Sequence, residues 1–475
     1  MSARTLARFV NATRFEDLPA DVVERAKLHL LDSLGAGLAG STAVETRAVL
    51  DMLTGGSVHG GEAGSRTGEA GGRTGEAGGR TGGAAAWGTA VALSPRDAAL
   101  ANGVAAHAFE LDDTGGCDHS GAVVVPAALA ALAVGGRPVS GSELVVALVL
   151  GYDVGRRVLE ACGGYEAHNG AGWHSTGTCG TFGAAAAAAR LLGLDEARCA
   201  HALGLAASAS AGTWAFVHDG SMAKRLHAGR AAEGGLSAAL LAAAGVTGPR
   251  DVFAEAWGGF LTTFAPSTAD PGALTLGLGE RWRLLRCSIK PYASCRGTHS
   301  AIDALRAIQA DTGLTGSGIA HVEVTASPFL AGMCGGRDVA DLPAAQLSLP
   351  YALAAQLRFG AVGLAEFGAE RRADPEVAAT MGRISVYPDP AVAAAAQPTV
   401  TVTDVTGRRH TRRVDDPWGS PTNPLTGAEL TAKFHRHAAL ALPAEAAESL
   451  AALVRDLDRL PDARALLPAL ARSGS

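Results

Sequence analysis

The stretch AAHAFELDDTGGCDHSGAVVVP (residues 105–126) sets three carboxylic acids, Glu110, Asp112 and Asp113, within four residues. Thr114, Cys117, Asp118 and His119 follow at once, and an apolar, helix-like run begins at Gly121. Ionisable groups held between two apolar helices are costly unless they are paired or working. A second stretch, NGAGWHSTGTCGTFGAA (residues 169–185), repeats the design: a Gly-rich loop carrying His174, Ser175 and Thr176, then an Ala-rich helix. Histidine beside carboxylates is the usual equipment for moving protons near neutral pH. The plainer reading of either stretch alone is helix-capping acids and a solvated histidine.

Two segments add positive charge to this acidic chain. Lys224, Arg225, His227 and Arg230 lie between Asp219 and Glu233 with no acid among them. Arg281, Arg283, Arg286, Lys290, Arg296 and His299 lie between Glu280 and Asp303, again without an acid. Such clusters either solvate a helix face or bind a compact polyanion, since arginine forks match carboxylates and lysine supplies a point charge. KPYASCRGTH (290–299) favours the second use: it reads as an irregular loop, and Thr298 looks like the cap of a helix whose N-terminus would sit beside Lys and Arg. No dinucleotide fingerprint, P-loop, HExxH or GxSxG occurs. What remains is His, Asp, Lys and Tyr chemistry on a small carboxylate substrate, with no cofactor called for.

The seven cysteines are scattered and contain no CxxC, so their spacing specifies no metal cluster and points to reduced thiols and a cytoplasmic protein. The net charge of −6 gives no sign of nucleic-acid binding. The N-terminus lacks a signal-peptide core, and the apolar runs are too short for a membrane span.

The elements that must position these groups are mostly helices. The chain of 475 residues is 48% hydrophobic but only 5% aromatic, with 62 glycines, so Ala, Leu and Val must build a core of closely approaching helices. Apolar periodicity predicts helices over residues 19–39, from Ser94-Pro95 onward, 140–160, 181–192, 195–210 and 221–244. Alternation predicts strands at 321–325, 383–387, 399–405 and 409–414, the last two joined by a turn at Thr406-Gly407, with helices at 298–310 and 344–357 between them. Helices return at 427–439, 443–457 and 462–471. The expected organisation is mainly α: a helical domain over 1–268 with a flexible Gly-rich insert at 55–83, an α+β domain over 269–418, and C-terminal helices over 419–475 that pack back on the first. In the insert GEAGSRT recurs twice as GEAGGRT with a period of seven, but no position carries a large apolar residue.

With these motifs in place, the sequence resembles the MmgE/PrpD family, which includes 2-methylcitrate dehydratase, cis-aconitate decarboxylase and iminodisuccinate epimerase. The matching stretches are DSLGAGLAG (32–40), ANGVAAHAFELDDT (101–114), HSGAVVVPAALA (119–130), GWHSTGTCGTFGAAAAAARLLGL (172–194), SMAKRLHAGRAA (221–232), IKPYASCRGTHSAIDA (289–304), LSLPYALA (347–354) and GSPTNPL (419–425). The resemblance implies a cofactor-free homodimeric enzyme with its active-site cleft between a helical and an α+β domain. It implies site roles for Glu110, where the decarboxylase branch has Asp, and for Thr114, His119, His174, Lys224, Lys290 and Tyr351. With the residues' own chemistry, this gives His119, His174, Asp112, Lys224 and Tyr351 as catalytic candidates. Glu110, Asp113, Thr114, Lys290, Arg296 and His299 are the substrate-binding candidates. His119 and His174 could face the substrate from opposite sides, with Asp112 or Asp113 orienting one of them and the two lysines holding carboxylates. The implied reactions share a carbanion beside a carboxylate. Dehydration of a small hydroxy di- or tricarboxylate comes first, decarboxylation or epimerisation next, and a non-catalytic anion-binding scaffold last. Cys117 beside His119 and Cys295 in the KPY loop suggest a pocket unlike that of the tricarboxylate enzymes.

Deleting residues 61–81 should leave kcat/KM and folding nearly unchanged, because the repeats hold nothing able to anchor a core and loop length adds little closure entropy. Thermal denaturation checks this; a fall in Tm of more than about 10 °C would show that the repeats pack.

Overall fold

The computed structural model describes residues 2–56 and 83–472; the repeats lie outside the described residues. Its helical part is arranged around the Gly121–Val134 helix, in which every residue from Gly121 to Leu132 is buried. Helices Ala20–Gly40, Pro95–His107, Gly141–Ala161, Gly180–Leu191 and Ala223–Ala243 surround it. Their ends follow the sequence signals. Ser94 accepts from the Asp97 amide with Pro95 in the first turn, Ser140 and Glu143 form a capping box, and Asp195 caps the Glu196–Ala206 helix.

Small residues let these helices nearly touch. A Cβ on Gly103 would stand 2.7 Å from the Gly229 Cα, and one on Gly229 would stand 2.4 Å from the Leu100 carbonyl oxygen. This contact fixes the helix that ends at His107 against the helix that begins at Ala223, and those two ends carry site residues. The Gly427–Ala438 helix packs on Ala20–Gly40. Its buried Lys433 pairs with Asp32 and donates to the Leu111 carbonyl at 2.7 Å, so the C-terminal segment braces the acidic loop.

The second core belongs to an α+β part. Four strands lie in the order Ile384–Pro388, Ile319–Ala326, Thr399–Asp404, Arg409–Arg413. The first pair is parallel and the others are antiparallel, with Val322 opposite both Ile384 and Val402. Val322, Val324, Val400 and Val402 meet Ile302, Leu305 and Leu353 from the covering helices.

Two expected helices differ. The one expected at 344–357 is broken into Leu342–Gln346 and Leu349–Phe359, because the Ser348 side chain caps the second piece at the Tyr351 amide with Pro350 in its first turn. The one expected at 462–471 is a short 3₁₀ turn, Ala463–Ala465, and a four-residue helix, Leu466–Ala469, that contains Pro468. Ser2–Ala12 is a helix with a strongly amphipathic pattern that the sequence reading passed over. Among the described residues no helix is long and apolar enough to cross a membrane.

Gly229→Ala should cost about 1–3 kcal/mol, since the added methyl meets backbone rather than a movable side chain. The expected Tm loss is roughly 2–10 °C, accompanied by lower kcat/KM because Lys224 shifts. An unchanged Tm would show that the helix contact is loose.

Candidate active site

The acidic stretch forms an irregular loop, residues 108–120, between the Pro95–His107 and Gly121–Val134 helices. Two of its residues hold backbone conformations that L side chains rarely adopt, Glu110 at φ 54° and Asp118 at φ 118°. Such strain persists only where surrounding contacts enforce it, and it gathers at functional sites. An antiparallel bridge between Thr114 and Ser288, 3.0 and 2.7 Å, ties the loop to the second basic segment.

Both basic segments converge on Glu110. Lys290 Nζ stands 2.7 Å from Oε2, Arg225 Nη1 stands 2.6 Å from Oε1, and Lys224 also pairs with Oε1. All four side chains are almost fully buried. Burial alone would raise the Glu110 pKa, but the Lys224, Lys290 and Arg225 charges outweigh it and hold the carboxyl well below its usual range. Arg225 also donates to Gln346, which in turn donates to the Phe109 and Ala293 carbonyls. The two lysines therefore converge as the sequence suggests, but onto the protein's own carboxylate.

The histidines stand beside this cluster. His119 Nδ1 is 3.0 Å from Asp112 Oδ2, and its Nε2 is 3.5 Å from Asp118 Oδ2. Burial alone would lower its pKa, yet Asp118 and Asp112 outweigh that and raise it above the ordinary imidazole value. His107 Nδ1 is 3.0 Å from Asp112 as well, but burial wins there and brings its pKa down to about 3. Burial, with Lys224 and His227 next, drives His174 well below its ordinary value. His174 Nδ1 lies 3.0 Å from His227 Nδ1, and its buried Nε2 has no hydrogen-bond partner, 3.9 Å from Asp118. The site thus holds one imidazole biased toward the acid form and two kept neutral. Asp112 is depressed in turn: burial raises it, and His107, His119 and Lys290 overcome that.

A cavity of about 380 Å³ opens on this array, lined by Glu110, Thr114, Asp118, His119, Lys224 and Arg296 among others. Thr114 donates to Asp118 at 2.9 Å. Arg296 Nη1 is buried without a partner, and Arg286 also lines the wall.

Three expected site residues lie elsewhere. Asp113 is a structural carboxylate: it accepts from Tyr152 at 2.6 Å and the Gly121 amide at 2.8 Å, with His29 Nδ1 at 2.7 Å, beneath the start of the central helix. Tyr351 is buried in the second core against Phe367, its hydroxyl donating to the Glu366 carbonyl at 2.6 Å. His299 turns Nε2 to the Ser294 carbonyl, 3.2 Å away, at the start of its own helix. Sequence reasoning missed His107, Asp118, Arg225 and His227 as site residues, although all four stand within the first quoted stretch or the first basic segment. Their neighbours in space come from other segments, and no spacing rule shows that.

Cysteine spacing specifies no metal cluster, but the fold brings some possible ligand atoms together. Among the described residues, two groups of three bring possible metal-ligand atoms within 4.8 Å of one another: His107, His119 and His174, and Cys162, His168 and Cys179. In the first, His119 is also engaged by Asp112 at 3.0 Å and Asp118 at 3.5 Å. In the second, His168 Nε2 is engaged by Thr178 at 2.7 Å and Nδ1 is buried without a partner.

An all-helical layer, a smaller α+β unit and a buried histidine–carboxylate array whose cations come from both parts define the class. Residues 4–271 match the MmgE/PrpD N-terminal domain and residues 292–459 the MmgE/PrpD C-terminal domain. The chain belongs to the MmgE/PrpD family. It is 33% identical over 322 residues to the cis-aconitate decarboxylase-like protein oryM of Aspergillus oryzae, covering 64% of this chain but only 61% of that protein. It is 29% identical over 361 residues to the cis-aconitate decarboxylase of Aspergillus terreus, covering 72% and 69% of the two chains. The cis-aconitate decarboxylase of Homo sapiens is 26% identical over an alignment of 486 positions, 97% of this chain and 93% of that one.

Glu110→Gln should destabilise the fold by about 3–5 kcal/mol, because it leaves buried cations unpaired. The margin of wild type over variant should be full above the ordinary glutamate pKa of 4.5 and shrink as pH falls below it, the sign for a depressed carboxylate. Denaturant titrations of both proteins across this pH range check it; equal stability at pH 7 would mean that the cations are held by other partners.

Proposed function

We propose that the chain is a lyase that decarboxylates a small unsaturated polycarboxylate. The observation that carries this reading is His119, biased toward imidazolium between Asp112 and Asp118 on the wall of a cavity with an unpartnered Arg296. Arg296 anchors a carboxylate that stays on the substrate. The carbon–carbon bond to a second carboxylate breaks, releasing carbon dioxide and leaving its electron pair on carbon. The remaining carboxylate, or a conjugated alkene, delocalises that pair. His119 then gives its proton to the carbon, and solvent reprotonates the neutral imidazole. Asp112 and Asp118 keep the proton on the ring until the carbanion forms. The names of the matched relatives support decarboxylation ahead of the dehydration preferred from sequence.

A second reading, a hydro-lyase on a hydroxy polycarboxylate, rests on His174. Its imidazole is kept neutral by burial and lies with its ring centre 6.4 Å from that of His119. A base and an acid this close are what proton abstraction and hydroxide departure require.

Assays of carbon dioxide release from cis-aconitate, and of enoate absorbance from citrate or 2-methylcitrate, separate the two readings. Carbon dioxide without a new enoate is expected, and the converse would replace decarboxylation with dehydration. His119→Gln should lower kcat by about 10²–10⁴. The rate should fall as pH rises through the His119 pKa, which Asp118 and Asp112 hold above the ordinary imidazole value against burial. In Asp118→Asn that alkaline limb should move to lower pH, and an unmoved limb would take His119 out of the acid role.

A further inference from the structure

Three buried side chains from three elements meet in the segment around His174. Cys162 closes the Gly141–Ala161 helix, and His168 lies in the short Tyr165–Gly170 helix. Cys179 stands between the Ser175–Thr178 turn, which His174 opens, and the Gly180–Leu191 helix. Both thiols are fully buried, and the histidine is 1% exposed. One possible ligand atom of each lies within 4.8 Å of the other two. Thr268 donates to the Cys162 carbonyl at 2.9 Å and pins the chain there from outside. None of the three lines the catalytic cavity.

Two thiols and an imidazole are the donor set of a thiophilic cation. Around a tetrahedral zinc ion, with bonds of about 2.3 Å to sulfur and about 2.0 Å to nitrogen, donors stand roughly 3.6–3.8 Å apart. Cys179 Sγ is 3.9 Å from His168 Nε2 and 3.7 Å from Thr178 Oγ1. The set therefore closes on an ion with small side-chain shifts. His168 has the two kinds of nitrogen that a ligating ring uses, one for the ion and one for an orienting hydrogen bond. Nε2 is 2.7 Å from Thr178 Oγ1, while Nδ1 is buried without a partner. Charge agrees with this chemistry. The polar contacts of His168 and Cys179 are to Thr178 and to each other, with no acid or base among them. A divalent cation with two thiolates and a neutral imidazole carries no net charge, which is the state that a dry surround tolerates.

We propose that Cys162, His168 and Cys179 bind a zinc-type divalent cation. The ion replaces the two thiol protons, which pass to solvent, and each sulfur forms a bond to the metal. It ties the end of one helix to both sides of the turn that His174 opens. The role is structural and independent of the lyase reading.

The test uses cobalt(II) as a spectroscopic stand-in for zinc. The full chain is produced in cobalt-supplemented medium, so that the buried site fills as the protein folds, and is then passed over a chelating resin. Wild type should retain the metal and show thiolate-to-cobalt charge-transfer absorption. X-ray absorption should show two sulfur neighbours at about 2.3 Å. Cys162→Ala and Cys179→Ser should each abolish the charge-transfer band. Cys199→Ala removes a buried thiol of the Glu196–Ala206 helix and should leave the band unchanged. If the first two variants fail to fold, the X-ray absorption of wild type decides alone. Retained metal with only nitrogen and oxygen neighbours would place the ion elsewhere, such as on the three site histidines, and overturn the proposal. Metal-free protein with seven free thiols would overturn it, and so would a Cys162–Cys179 disulfide in the purified chain.

Discussion

The buried Glu110 carboxylate is the interaction on which the site depends. Moving one carboxylate and three cations out of water is affordable only when the geometry is close and the remaining hydrogen bonds are made. Here Lys224 and Arg225 come from the first turn of one helix and Lys290 from a loop 66 positions later. Gln346 of the second core ties Arg225 to the backbone at Phe109 and Ala293. The left-handed φ of Glu110 is the cost of aiming its side chain at all of them. The Gly103–Gly229 contact matters for the same reason: with larger residues the helices would part and the helix that carries Lys224 would withdraw from the loop. One ion cluster therefore fixes the helical layer, the α+β part and the acidic loop together, and it does so beside the reacting groups.

The second consequence is a division of labour among three histidines with overlapping surroundings. His107 and His119 have ring centres 4.2 Å apart and both touch Asp112. Two imidazolium ions at that distance would repel, so one must give up its charge. Asp118 decides which, since it lies beside His119. Its strained backbone, φ 118°, brings the carboxylate there. Protonated His119 is also a stability element. Its raised pKa means that the contribution is complete below the ordinary imidazole value and is lost as pH rises through the folded one, the opposite sense from Glu110.

What the sequence showed and hid follows from the range of the interactions. Helix starts at Ser94, Ser140 and Asp195 were legible because capping is local. The four strands were legible because alternation is local as well, and so was the family, whose motifs are long. Glu110, His119, Lys224 and Arg296 were legible as chemistry, since composition alone makes them unusual in an Ala-rich chain. Their partners were not. Nothing in the spacing says that Lys290 meets Glu110 rather than Asp113, or that Asp113 meets Tyr152 under a helix start. Tyr351 shows the converse: the resemblance implies a site role, whereas the side chain is buried in the second core, as an aromatic on an apolar helix is by default. The break at Ser348 was hidden because apolar periodicity continued across a residue whose side chain prefers to cap.

The charge balance around the cavity gives the last step. The chain carries a net charge of −6, so at long range it repels an anionic substrate. Inside the cavity the accounts differ by position. Glu110 meets three cations, Asp112 and Asp118 share His119, and Arg296 and Arg286 on the wall enter no ion pair among the described residues. The local balance is therefore cationic within a low-dielectric surround, where a charge acts more strongly than on the surface. Screening by salt weakens the long-range repulsion and leaves the short-range attraction, which is buried, nearly intact. Added salt should thus speed capture of a polycarboxylate rather than slow it, the reverse of what a wholly basic binding face would do. The constraint returns to Glu110: with a neutral residue there, the cavity would hold one more positive charge and would favour ligands with one more carboxylate.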